Sequence, residues 1–154
     1  MTPRLNLYAA APATMQAFVD FSTGIAKDLV EPSLAELVKI RASQINHCAM
    51  CLHMHTREAL VHGESELRLT MLAAWRESPL YSDRERAALD WTEALTLLPA
   101  TGVPYDVYAR LNVHFTPEEQ VKLTMVIGLI NAWNRFGAGF HTVHALPRPE
   151  AAAA

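Results

Sequence analysis

Apolar residues recur along this chain at the three- and four-residue intervals of a helix with one buried face, and the strict alternation of a half-buried strand is absent. Met15, Phe18, Val19 and Ile25 fall at helical spacing in a helix expected from about Pro12 to Lys27. A second is expected to begin near Ser33, where Ser33-Leu34-Ala35-Glu36 matches a capping box ahead of Leu37, Val38 and Ile40. Asn46 interrupts that run and is placed to cap a helix from Cys48 to about His62, with Gly63 as its stop. Glu64 to Arg76 reads as a further helix ending ahead of Ser78-Pro79. Ser82-Asp83-Arg84-Glu85 is a second capping box, opening a helix to about Leu98. Pro99 and Pro104 bracket a loop, and a short helix from Tyr105 to Val113 follows. Thr116-Pro117-Glu118-Glu119 then sets a capping hydroxyl, a proline and a carboxylate in the order that starts a helix. That last helix is apolar nearly all round and reaches toward Phe140, as a central or interface helix would. The pattern predicts an all-α fold of about six to seven helices in one domain, residues 1–146, with residues 147–154 as a disordered tail.

Composition adds an expectation about assembly. The chain is 51% apolar and 19% charged, with a mean hydropathy of +0.06. For 154 residues that is greasy enough to expect some apolar surface to be covered by further copies, a homo-oligomer. The net charge is −3 and the 13 basic residues are scattered, which speaks against nucleic acid or an anionic membrane as partner. Met1 to Ala13 has one arginine and no long apolar run, so it does not read as a signal peptide. Leu123 to Trp133 is too short to span a bilayer and contains Asn131. A cytoplasmic location is therefore expected. In such a reducing compartment, two cysteines in Cys-x-x-Cys spacing point to catalysis or metal binding more than to a structural staple.

Those cysteines lie in the segment Glu36-Leu-Val-Lys-Ile-Arg41-Ala-Ser-Gln-Ile-Asn46-His47-Cys48-Ala-Met50-Cys51-Leu-His53-Met-His55. On a helix, Cys48 and Cys51 share a face, and the step to His55 returns to it. Thiol chemistry needs this kind of cluster. The thiolate is the nucleophile and must be stabilised by a helix N-terminus, a cation or a base. A second thiol converts a sulfenic acid to a disulfide before further oxidation, and a histidine relays protons. Glu36, on the preceding helix, could orient the His55 ring if the two helices fold back on each other. Blander readings stand beside these. The cysteines could be buried small hydrophobes, and Glu36 could simply cap Ser33. Cys48, Cys51, His53 and His55 could ligate zinc, although Cys51 and His53 point to different helix faces and no distant second pair closes the site. His47, His53 and His62 read as exposed polar residues, and His114, His141 and His144 have no recognisable partner spacing.

With its flanks, the window resembles the AhpD-like alkylhydroperoxidases of the carboxymuconolactone decarboxylase superfamily. The likeness rests on Glu36 twelve residues before Cys48-x-x-Cys51-x-x-x-His55 and on the preceding Leu-Val-Lys-Ile-Arg-Ala-Ser-Gln-Ile-Asn. Ser82-Asp-Arg-Glu-Arg-Ala-Ala-Leu and Ile130-Asn-Ala-Trp-Asn-Arg135 are also similar to segments of single-domain members. The resemblance covers roughly residues 5–145. It implies an all-helical fold assembled into trimers or hexamers, with no metal, haem or other cofactor. It further implies that Cys51 attacks a small hydroperoxide, that Cys48 resolves the sulfenic acid as a disulfide, and that His55 and Glu36 form the proton relay. The reductant it implies is a thiol, a dihydrolipoyl protein in the best-known members. Met50 stands where the founding members carry a relay histidine, which implies a shorter relay. Two other functions remain open at the level of sequence. One is a decarboxylase-type lyase, which would need cationic and histidine groups for a carboxylated lactone and has no use for paired thiols. The other is a non-catalytic redox-sensing oligomer.

Overall fold

The computed structural model describes residues 2–26 and 29–144; the predicted tail, residues 147–154, lies outside the described residues. Among the described residues the fold is all-helical, with nine α-helices. They are α1 (Leu7–Ala10), α2 (Pro12–Ala26), α3 (Pro32–Ile45), α4 (Ala49–Val61), α5 (Glu66–Met71), α6 (Asp83–Thr96), α7 (Leu98–Thr101), α8 (Tyr105–His114) and α9 (Pro117–Gly139). A 3-10 turn, Leu72–Ala74, follows α5. The predicted helices are all present. The count exceeds six to seven because Leu7–Ala10 and Leu98–Thr101 are separate four-residue turns.

Helix α3 is the axis of the fold and packs against α4, α6 and α9. Leu34 and Val38 join Leu111, Phe115, Leu123 and Ile127 of α8 and α9 in one apolar cluster. Leu37 and Ile40 face the other way, onto Leu72, Trp75, Tyr81 and Leu89. At the C-terminal end of α3, Ala42 meets Cys48, Cys51 and Ile130. A helix enclosed on so many sides has little solvent face, and Glu36 and Ser43 are buried with it and must find partners inside.

The caps decide where the elements start. Ser82 and Thr116 both form complete capping boxes, with Glu85 and Glu119 returning to the cap backbone. Two expected caps are not formed. Ser33 does not cap α3: the helix begins one residue earlier at Pro32, and the Ser33 hydroxyl donates to Glu64 at 2.7 Å. The carboxylate of Glu36 is thereby free for other work. Asn46 ends α3 but does not begin α4, whose N-cap is Cys48, with extended backbone and its sulfur accepting from the Cys51 N–H at 3.4 Å. Gly63, at φ +89°, stops α4 where the sequence placed the stop.

The N-terminal helices lie against the end of α9. Arg4 donates its backbone N–H to Phe140 and its guanidinium to Gly139. Phe18 of α2 packs against Trp133 in a tilted contact and edge-on against Phe136, with ring centroids 4.6 and 5.7 Å away. This leaves a pocket between α2, α3, α4 and α9, above the cysteines. Since α9 depends on the Thr116 cap for its first turn, Thr116→Ala is expected to cost about 1 kcal/mol of folding stability, read from the denaturant midpoint.

Candidate functional site

Cys48 precedes α4 and Cys51 lies in its first turn, so both sulfurs gather at a helix N-terminus, where backbone N–H groups favour negative charge. The pair is not on one helical face as expected, because Cys48 is outside the helix. Convergence comes instead from capping: the Cys48 sulfur replaces the oxygen of a usual N-cap residue. Both are free thiols, Cys48 1% and Cys51 5% exposed. They differ in access. Cys51 lines the pocket and Cys48 lies behind it.

Helix α9 closes the rear of the site and approaches so near that a side chain would not fit. A Cβ on Gly137 would stand 2.5 Å from the Cys48 sulfur and 3.6 Å from that of Cys51. One turn earlier on the same stripe stands Asn134, buried beside the thiols and favouring the charged form of each. The Cys51 thiol donates to the Cys48 sulfur. That hydrogen bond, with the Cys51 N–H, Asn134 and the nearby His55, outweighs burial and pulls Cys48 from 9.0 down to about 6. Cys51 is pushed the opposite way by its hydrogen bond to Cys48, by burial and by the Cys48 charge. The opposite shifts favour one proton and one negative charge shared between the two thiols.

Glu36 and His55, expected as a proton relay, stand in contact. Glu36, on α3, accepts from His55 Nδ1 at 2.8 Å, and its other oxygen takes Lys39 Nζ at 2.6 Å. Burial alone would raise the Glu36 carboxyl, but the hydrogen bonds and charges of His55 and Lys39 hold it below its ordinary value. A second carboxylate, Glu58, lies 3.2 Å from the same His55 nitrogen and half in solvent. Sequence reasoning missed Glu58, Asn134 and Gly137. Glu58 is one turn beyond His55; Asn134 and Gly137 continue the buried stripe Leu123–Ile127–Ile130. Either spacing would have flagged them.

Among the described residues, the ligand atoms clustered within 4.8 Å of one another belong to Glu36, His55 and Glu58, not to the Cys48, Cys51, His53 and His55 set considered for zinc. Within that trio the His55 nitrogen is shared by two carboxylates and Lys39 already balances Glu36, an arrangement suited to holding a proton. His53 turns away and stacks on His144. Met50, in place of a relay histidine, lines the pocket. That pocket has a volume of about 460 Å³ and is walled largely by apolar residues, including Val19, Met54, Leu129, Trp133 and Phe136, with His55, Lys39 and Glu58 at one side.

An all-helical bundle with a buried Cys-x-x-Cys at a helix start and a Glu–His pair beside it defines an AhpD-like protein. The chain belongs to the carboxymuconolactone decarboxylase family, whose model matches residues 12–94. It is 40% identical over 135 residues to the uncharacterized protein YdfG of Bacillus subtilis, covering 88% of this chain and 92% of that one. It is 35% identical over 109 residues to the uncharacterized YnjA of Escherichia coli, covering 71% of this chain and 59% of that protein. Among solved structures it superposes with a TM-score of 0.92 on ATU0492 of Agrobacterium tumefaciens, a protein of unknown function suggested to be the antioxidant defence protein AhpD. That match has 39% identity and covers 95% of this chain and 100% of that one. The debrominase Bmp8 shares the fold, with a TM-score of 0.78 at 18% identity over 88% of this chain and 73% of its own. No helix among the described residues is long and apolar enough to cross a membrane.

Two outcomes follow from this geometry. In the reduced protein, ultraviolet thiolate absorbance should rise by a single thiolate with a midpoint near 6, the second thiol staying protonated well past the ordinary cysteine range. Gly137→Ala should force the Cys48 sulfur out of its seat, costing about 1–3 kcal/mol in thermal or denaturant unfolding and slowing disulfide closure.

Proposed function

We propose that this protein is a thiol-dependent hydroperoxide reductase in which Cys51 attacks, Cys48 resolves, and His55 with Glu36 moves the proton. The observation that carries the reading is the division between the two sulfurs: Cys48 caps the helix behind the site, and only Cys51 of the two opens onto the pocket. In the first step the Cys51 proton passes to the Cys48 sulfur, and the Cys51 thiolate attacks the outer peroxide oxygen. The O–O bond breaks, sulfur is oxidised to a sulfenic acid, and the departing alkoxide takes a proton from His55 to leave as an alcohol. Cys48 then gives that proton up to the relay, and its thiolate displaces hydroxide from the Cys51 sulfur. Hydroxide leaves as water with a further relay proton, and the Cys48–Cys51 disulfide remains. An external dithiol returns two electrons and two protons and restores the pair. No resident cofactor enters any step.

The pocket supports an organic hydroperoxide with an apolar body over hydrogen peroxide, because its walls are aliphatic and aromatic while its polar groups lie at the relay side. A lyase acting on a carboxylated lactone finds less support. Lys39, the lining cation, is already bound to Glu36. The reading includes a reducing cytoplasm, a dithiol reductant of the dihydrolipoyl class, and a homo-oligomer such as a trimer or hexamer. Exposed Tyr105, Val113 and Val121 on α8 and α9 support that assembly.

Peroxide consumption with dihydrolipoamide, thioredoxin and glutathione offered in parallel tests the proposal. Cys51→Ser should lose turnover by at least about 10³-fold, while Cys48→Ser should form a sulfenic acid that a dimedone probe traps. Wild-type turnover in both variants would refute the reading, and a single stoichiometric oxidation with no turnover would make the protein a sensor.

A further inference from the structure

The polar residues behind the cysteines form a chain whose polarity is fixed at both ends. Arg135, on the rim, can only donate, and its guanidinium reaches Asn46 Oδ1 at 2.8 Å and Asn131 Oδ1 at 3.0 Å. The Asn46 carbonyl therefore faces Arg135. Its NH₂ faces inward, with two hydrogens shared among Asn134 Oδ1 at 2.9 Å, Asn131 Oδ1 at 2.9 Å and the Ala42 carbonyl at 3.0 Å. With its carbonyl taken by Asn46, Asn134 must present its NH₂ to the far side.

Ser43 fixes the same orientation independently. Its hydroxyl hydrogen goes to the Lys39 carbonyl at 2.7 Å, so its oxygen can only accept from Asn134 Nδ2, 3.0 Å away. One Asn134 N–H is thus committed to Ser43. The other has no acceptor in the amide chain, and the sulfurs stand beside it: a Cβ on Gly137, one turn on, would meet the Cys48 sulfur at 2.5 Å, and the Cys48 N–H donates to the Ser43 carbonyl at 3.1 Å. Asn134 is 1% and Ser43 0% exposed, so water does not serve as the alternative.

We propose that Asn134 is a further catalytic residue of the cysteine pair: its second amide N–H donates to the sulfur that bears the negative charge, and Arg135, Asn46 and Ser43 are positioning residues that keep that N–H from flipping away. The assignment rests on the reading of Cys48 and Cys51 as the redox pair, and it adds a neutral donor where the helix N-terminus and His55 supply the charge-stabilising field. The charged groups around the sulfurs are His55 with Glu36, Glu58 and Lys39 on the pocket side and Arg135 at the far end of the amide chain. No carboxylate takes part in the Asn134 chain. A short polar residue on the inner stripe of α9 is costly to bury unless every hydrogen is used; here sulfur uses the last one.

The experiment is a thiolate titration of the full reduced chain, by ultraviolet absorbance and by the pH dependence of iodoacetamide labelling. Neither readout requires peroxide, so failure of the peroxidase reading and failure of this one are distinguishable. Asn134→Ala should raise the thiolate midpoint by about one unit, a tenfold loss of thiolate below the midpoint, as expected for a lost hydrogen bond to a charged group. Asn134→Asp, which keeps the shape and removes the donor, should raise it further. Should these buried variants fail to fold, the exposed end of the chain gives the same test. Arg135→Glu replaces a donor by an acceptor and turns the Asn46 amide round, so that its carbonyl opposes that of Asn134 and works against the orientation Ser43 favours, which should raise the midpoint. Arg135→Lys, again a pure donor, should bring it back toward wild type. The Arg135→Glu shift should persist at about 1 M salt, where a through-space charge effect is screened. A wild-type midpoint in folded Asn134→Asp, or an Arg135→Glu shift that vanishes in salt, would overturn the proposal.

Discussion

Everything in the site depends on a sulfur standing where a helix ordinarily keeps an oxygen. Cys48 takes the N-cap position of α4 and accepts the Cys51 N–H, which fixes the two sulfurs at the same helix end before any other residue contributes. A cap of this kind is weak for a neutral thiol and strong for a thiolate, because the orphan N–H groups of the first turn carry partial positive charge. Local backbone geometry and side-chain acidity are therefore one fact seen twice. Burial adds the second half of the constraint. Two adjacent thiolates away from water would repel without screening, so the pair keeps one proton and shares it.

That geometry dictates what can surround it. Helix α9 must pass close behind to seal the sulfurs from solvent, and only a residue without a Cβ can stand at position 137. Helix α3 must lie on the other side to bring Glu36 to His55, and because α3 is enclosed by α4, α6 and α9, Glu36 arrives buried. A buried carboxylate with a single partner would be costly. Lys39 from its own helix and His55 from α4 together answer it, and the site is anchored to the centre of the fold through that one side chain.

The sequence was most readable where a signal and its partner are close together. Ser82 with Glu85 and Thr116 with Glu119 close within one turn, and both boxes are present. Ser33 with Glu36 has the same pattern and is not a box. Glu64 and His55 compete for its two members from across the fold, and tertiary contacts of that range leave no trace in local spacing. Asn46 looked like the start of a helix because asparagine caps well, yet its side chain is drawn to Asn131, Asn134 and Arg135, more than eighty residues on. The Cys–Cys–His–Glu set was legible because the motif itself is compact apart from Glu36. Gly137 and Asn134 were not, since their meaning lies in what α9 meets and not in what α9 is.

The separation of charge from access has a consequence for both halves of the proposed cycle. Charge rests on Cys48, which reduces its strength as a nucleophile but makes it the better leaving group; the intrinsic nucleophilicity of a thiolate rises with its pKa. Cys51, once its proton passes across the short path to the Cys48 sulfur, is the stronger nucleophile, and it is the one facing the pocket. In the return half, an incoming dithiol enters from the same side and meets Cys51 first. Attack there expels Cys48 as the thiolate that the helix cap, the Asn134 amide and His55 already stabilise. One sulfur is thus suited to every contact with the outside and the other to holding charge. The arrangement would lose its logic if the two positions were exchanged: a low-pKa sulfur at the pocket would be a poorer nucleophile toward peroxide, and a high-pKa sulfur behind it would be a poor group to expel.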